Sequence, residues 1–283
     1  MPKTLYISDL DGTLLDADAT LSAENACRLS ALTARGALVT CATARTPGTV
    51  QPLMAPAQLS APAIVMTGAA LWTIDSPRPC FCDVHYIPAD EALTLDECFA
   101  RAGVTPFIYA IDPDNEAVPI TFHFAGSDMS DAQKAFADQR SRLRLKRFVQ
   151  GGRPPATDRR LLYFAIGPRQ SIVPLSEEIA RSCSCAMSVY PDNYVPELYL
   201  LEIFAPGVSK ATAVKALATK LGATRTVVFG DNLNDLPMMS VADLSVAAPG
   251  ALGQVKEAAD IVLEASPTAV ADFMTRDFAG TLK

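Results

Sequence analysis

Short runs of continuous apolar residues, each stopping at a polar side chain or a glycine, limit most sharply what this chain can fold into. Residues 4–8, 37–42, 62–67 and 226–230 are such runs. A strand that is apolar on both faces needs cover on both, which a parallel sheet with crossover helices supplies. The segments between them carry the helical period. Residues 22–36 place Ala26, Leu29 and Leu32 on one side and stop at a glycine, and residues 210–221 read the same way. A helix over 236–242, a strand over 244–247, a helix over 252–259 and a strand over 261–263 continue the alternation.

The middle of the chain has a different rhythm. A helix over 90–102 precedes strand-like runs at 106–111 and 118–124; a polar helix over 130–145, a strand over 161–166, a helix over 172–182 and two last strand runs follow. Pro77, Pro79 and Pro88 mark the entry to this α+β stretch, and Ala205-Pro206-Gly207 its exit. The expected architecture is α/β: a Rossmann-like parallel-sheet core from residues 1–84 plus 205–283, with an inserted α+β cap over 85–204, boundaries good to about six residues.

Composition excludes several classes. With 49% apolar and 19% charged residues, the chain can bury a large core and does not read as disordered. A net charge of −7 without a Lys/Arg run argues against nucleic acid as a partner. No apolar run approaches the ~18 residues of a membrane helix, and the first residues do not resemble a signal peptide. Seven cysteines, an odd number in a chain large enough to fold without staples, favour reduced thiols and a cytoplasmic location. Cys80/Cys82 and Cys183/Cys185 form two CxC pairs; they read as small buried side chains, with a shared four-thiolate zinc site as the alternative. His85 and His123 are the only histidines, and His123, between Phe122 and Phe124, reads as structural.

The chemistry concentrates at strand ends. Asp9-Leu10-Asp11-Gly12-Thr13 follows the first strand, and Gly230-Asp231-Asn232-Leu233-Asn234-Asp235 closes and follows the strand near 227. Open α/β sheets bind ligands beyond the carboxyl ends of their strands. If the two strands are neighbours, two acidic loops converge, and their repulsion calls for a hard cation, Mg²⁺ being the obvious one. Thr43 and Ala44, at the end of the second strand, offer a hydroxyl and backbone N–H groups to a phosphate, or a simple helix cap. Lys210 begins a helix after Ser209, where the helix dipole disfavours a cation; it serves a bound anion or is an ordinary surface lysine.

In that order these motifs resemble the haloacid dehalogenase superfamily, and within it the Cof-type, class IIB phosphatases with a C2-type cap. Leu14-Leu15, Gly207-Val208-Ser209-Lys210, and the stretches 242–247 and 258–262 add to the likeness. The resemblance implies that Asp9 is the nucleophile forming an aspartyl-phosphate and Asp11 the acid–base. It implies Mg²⁺ held by Asp9, the Asp11 carbonyl and Asp231, with Asp235 behind them, and phosphate oxygens held by Thr43, Ala44, Lys210 and Asn234. The implied activity is hydrolysis of a small phosphorylated, sugar-phosphate-like metabolite; a phosphomutase or a non-catalytic ligand-binding regulator are the alternatives. Monomer and homodimer stay equally open. Two motifs depart from the family pattern. Thr43-Ala44-Arg45 stands where Thr-Gly-Arg is usual, and Thr67-Gly68-Ala69 where Asn-Gly-Ala is usual.

Overall fold

The computed structural model describes residues 3–111, 121–192 and 195–282. Two compact units emerge, one from residues 1–83 and 209–283, the other from 84–208. In chain order the first unit begins with β1 (Thr4–Ser8), α1 (Ala23–Ala34), β2 (Leu38–Cys41), α2 (Pro47–Met54), β3 (Ala63–Val65), β4 (Ala70–Trp72) and β5 (Phe81–Val84). The second unit contains α3 (Ala89–Ala102), β6 (Phe107–Ile111), β7 (Thr121–Ala125), α4 (Asp131–Arg140), β8 (Lys146–Gln150), β9 (Arg160–Pro168), α5 (Arg169–Ser182), β10 (Ala186–Pro191) and β11 (Leu198–Phe204). The chain returns to the first unit with α6 (Lys210–Leu221), β12 (Arg225–Gly230), α7 (Leu236–Met239), β13 (Leu244–Ala247), α8 (Gly253–Ala258), β14 (Ile261–Val262) and α9 (Ala269–Phe278).

The first unit is built on a parallel sheet in the order β14-β13-β12-β1-β2. β1 pairs with β12 in the register Ile7↔Val228 and Ser8↔Phe229, so the two acidic loops leave adjacent strands side by side. Leu5, Ile7 and Val228 point to one face, where Ala213, Val214 and Leu217 of α6 and Met238 of α7 cover them. The opposite face carries Phe229, packed edge-on against Phe273 of α9 at 5.6 Å. Each face therefore buries apolar surface, which is why the strand sequences do not alternate. The run at 62–67 does not extend this sheet as a full strand: one isolated bridge, Ala42↔Ile64, joins it to the residue just after β2, and β3 pairs instead in a small sheet with β4 and β5.

Two reciprocal clasps fix the starts of β12 and β13. The Asp243 carboxylate accepts from the backbone N–H and hydroxyl of Thr226 (2.7 and 2.9 Å), and Thr226 Oγ1 accepts from Asp243 N–H. Asp260 and Ser245 repeat the arrangement one strand further on. These bonds give a physical meaning to the aspartates at 243 and 260.

The second unit carries a six-stranded, mostly antiparallel sheet in the order β10-β11-β9-β6-β7-β8. Phe99 of α3 stacks on Tyr163 on one face, and Phe136 of α4 packs against Phe107 and Phe164 on the other. His123 is fully buried there, 3.9 Å from the Tyr109 ring centroid and 4.5 Å from that of Phe148. Of the run expected at 118–124, residues 118–120 lie outside the described residues, and the rest falls in β7. The polar helix ends at Arg140 rather than near residue 145, and β8 follows it. Among the described residues no helix is long and apolar enough to cross a membrane.

Candidate active site

The loop after β1 is wound tightly. Asp9 N–H still donates to Phe229 O (2.9 Å), extending the pairing one residue beyond the strand, and Leu15 N–H closes back on Leu10 O. Gly12 turns the chain at φ +80°, and a β-carbon there would sit 2.3 Å from an Asp231 oxygen. Only glycine lets the first loop approach the second so closely. Thr13 then donates its hydroxyl to Asp231 Oδ1 at 2.9 Å, tying the two loops together.

Lys210 is the centre of the charge arrangement. Its side chain is 2% exposed, and Nζ lies 2.5 Å from Asp9 Oδ1 and 2.8 Å from Asp235 Oδ1. Ser209 starts the helix with a reciprocal cap to Thr212, which sets where Lys210 leaves the backbone. Of the two readings of this lysine, the ordinary surface one falls, because the side chain is buried and its ammonium is paired with two carboxylates. Asp235, wholly buried, also accepts the backbone N–H groups of Asp231 and Asn232 with its other oxygen.

Carboxylate oxygens of Asp9, Asp231 and Asp235 lie within 4.8 Å of one another. One ammonium stands among three carboxylates. Burial pushes the Asp9 carboxyl up to about 7; Lys210 opposes this, while Asp235 and Asp231 add to it. Burial also raises Asp231. For Lys210, burial alone would lower the ammonium, but Asp9 and Asp235 outweigh it and hold it above its ordinary value. An oxygen-only donor set of this charge suits a hard cation. These acidic residues can hold a metal ion.

The remaining residues sit around this centre. Thr43 is 1% exposed at the end of β2, and its hydroxyl accepts from Arg45 N–H at 3.1 Å, which leaves its own O–H to donate. Ala44 beside it is exposed. Asn234 is exposed on the turn that carries buried Asp235. The Asp11 carboxylate is held in a fork made by Arg45 Nε (2.8 Å) and Nη2. Sequence reasoning gives neither Arg45 nor Thr13 a part; the only signal for them is their place beside Thr43 and Gly12. Gly68 is legible only as the middle of Thr67-Gly68-Ala69: at φ +99°, a β-carbon there would meet the Ser209 carbonyl at 2.4 Å, so the third loop presses on the start of α6.

A family model described as haloacid dehalogenase-like hydrolase matches residues 6–274. The chain belongs to that family. Among related sequences, phosphoglycolate phosphatase of Sulfurisphaera tokodaii is 43% identical over 63 residues, which is 22% of this chain and 28% of the relative. The match thus spans little more than a quarter of that relative's length. Among solved structures, a haloacid dehalogenase-like hydrolase from Bacteroides thetaiotaomicron superposes with TM-score 0.73 at 22% identity, covering 97% of this chain and 99% of the other. The subclass IIB sugar phosphatase BT4131 gives TM-score 0.70 at 19% identity, covering 99% and 100%. Both share the fold over its whole length, inserted unit included.

Proposed function

We propose that this hydrolase is a Mg²⁺-dependent phosphatase acting on small phosphorylated, sugar-phosphate-like metabolites through an aspartyl-phosphate on Asp9. The observation that carries the reading is the buried Lys210 ammonium held between Asp9 and Asp235, with Asp231 alongside. In this reading the unit over 84–208 is a cap that selects the substrate. The phosphatase and sugar phosphatase names among the relatives and fold neighbours agree with it.

The roles follow from the chemistry of the residues. Asp9 attacks phosphorus and the ester P–O bond breaks, its leaving oxygen taking a proton from Asp11. Asp11 then removes a proton from water, which attacks the acyl phosphate and frees Asp9 and inorganic phosphate. One acid–base group thereby serves both displacements. To reach the leaving oxygen Asp11 has to exchange its fork with Arg45 for that contact. Lys210 neutralises the incoming phosphoryl oxygens, and the Thr43 hydroxyl, the Ala44 N–H and Asn234 hold them in place. Mg²⁺ would be held by Asp9, the Asp11 carbonyl and Asp231, with Asp235 behind them, and it would cancel the repulsion between carboxylate and phosphate.

The test is hydrolysis of p-nitrophenyl phosphate with and without Mg²⁺, wild type beside Asp9→Asn. The expected result is turnover that needs Mg²⁺ and disappears in the variant. Turnover that survives Asp9→Asn in full would sink the nucleophile assignment.

A further inference from the structure

The two CxC pairs have different surroundings. Cys80 and Cys82 flank the start of β5, whereas Cys183 and Cys185 bracket the junction from α5 to β10 and meet Glu91 from the first turn of α3. One donor atom from each of Glu91, Cys183 and Cys185 lies within 4.8 Å of the others. All seven cysteines are free thiols.

The carboxylate is held in place by the residue between the two cysteines. Glu91 Oε1 accepts from the Ser184 backbone N–H at 3.1 Å and from the Ser184 hydroxyl at 2.5 Å. Two thiols and a pre-oriented carboxylate thus converge from two elements far apart in sequence. Anchoring a ligand by a hydrogen-bonded outer residue is what metal sites do. We infer that Glu91, Cys183 and Cys185 form a site for one thiophilic divalent cation of the zinc class, separate from the aspartate cluster.

Two considerations favour a metal over a disulfide. Cys183 is extended (φ −142°, ψ 163°). In extended chain, residues i and i+2 point to the same side about 6.6 Å apart, a good bite for a cation but near the outer limit for a disulfide. Finally, S₂O donor sets select Zn²⁺ or Cd²⁺ over Mg²⁺. A bound ion would replace two thiol protons and clip the start of α3 to the start of β10.

The experiment uses the full reduced chain with Mg²⁺ in excess, so that the aspartate cluster does not compete. Cd²⁺ is titrated while the ultraviolet thiolate-to-cadmium charge-transfer band and proton release are followed. The expected result is saturation at one ion per chain with release of two protons. Cys183→Ser and Cys185→Ser remove the band, Cys80→Ser and Cys82→Ser leave it, and Glu91→Gln and Ser184→Gly weaken binding by roughly 10–100-fold. The last two variants keep both thiols, so they decide the matter even if a cysteine variant misfolds. No band, a band lost with Cys80 or Cys82, or unchanged affinity in both Glu91→Gln and Ser184→Gly would overturn the site. Phosphatase turnover plays no part in this readout, so its result is independent of the reading of Asp9.

Discussion

The α-carbon of Gly12 faces the Asp231 carboxylate so closely that a methyl group on it would lie 2.3 Å from Oδ2 and 2.7 Å from Cγ. Asp231 cannot retreat freely, because Thr13 Oγ1 holds its other oxygen at 2.9 Å. Gly12→Ala should therefore carry two costs: about 1–2 kcal/mol for a left-handed alanine, and a displaced Asp231. Gly36 is the control. It sits at φ +91°, and a methyl group added there would meet nothing within 4 Å, so Gly36→Ala carries the backbone cost alone. Calorimetric Mg²⁺ titration should show weakened binding for Gly12→Ala and wild-type binding for Gly36→Ala. Equal binding in the two variants would mean that the contact with Asp231 is irrelevant to the metal.

Removing the Lys210 ammonium tests the charge balance of the same pocket. Lys210→Met leaves Asp9 and Asp235 buried without their cation, and breaking a buried pair from one side costs about 3–5 kcal/mol. Part of that is recovered by proton uptake, and the sign follows directly. With the folded Asp9 carboxyl held above the unfolded ~3.9, the folded state binds more protons, so stability falls as pH rises through that window. Thermal melts should show Lys210→Met lagging the wild type more at about pH 8 than at about pH 5.5. Added Mg²⁺ should restore part of the stability without restoring turnover. A deficit that does not change with pH would contradict the balance described.

The strands of the parallel sheet were legible because burial on both faces leaves continuous apolar runs, and the acidic loops because aspartates directly follow them. Residues that work through backbone geometry were not. Nothing in the letters of Gly12 or Gly68 says that the neighbouring loop is within contact distance. β8, Lys-Arg-Phe-Val-Gln, is a half-exposed edge strand whose charges suit an edge and hide any strand pattern. α9 lies beyond the last strand read from sequence; its Val270, Ala271, Phe273 and Met274 are buried, but its start has no side-chain cap to announce it. Asp9, Asp231 and Asp235 come together because their loops leave adjacent strands, and Lys210 joins them as the family resemblance implied, while Asp11 is paired with Arg45, which no spacing reveals.

The departure at Thr67 has a physical consequence. Met66 and Thr67 both adopt positive φ, 49° and 58°, and Gly68 follows at 99°. A β-branched residue is poorly suited to this region, whereas asparagine enters it readily. Thr67→Asn should therefore relieve strain and stabilise the protein by about 1 kcal/mol, a rise of roughly 2–4 °C in melting temperature. Thr67→Val keeps the branched β-carbon and should give no such gain. Scanning calorimetry of the two variants beside the wild type checks this, and a lower melting temperature for Thr67→Asn would show that the threonine is not strained there.

His123 makes the second unit acid-sensitive. Its side chain is 0% exposed, both ring nitrogens lack a hydrogen-bond partner, and it lies between Tyr109 and Phe148. Burial, then the positive charges of Lys146 and Arg140, hold the imidazole well below its usual value, so it stays neutral in the folded state. In the unfolded chain it titrates at about 6.5. Below that pH the unfolded state binds a proton that the folded state refuses, and the folded state loses stability at about 1.4 kcal/mol per pH unit until its own value is reached. Above about 6.5 the effect vanishes. His123→Leu, similar in size and without a titrating group, should remove this slope. Denaturant midpoints measured across the acid range should diverge between wild type and variant only below about pH 6.5; parallel curves would show that the imidazole is protonated, or hydrated, in the folded protein.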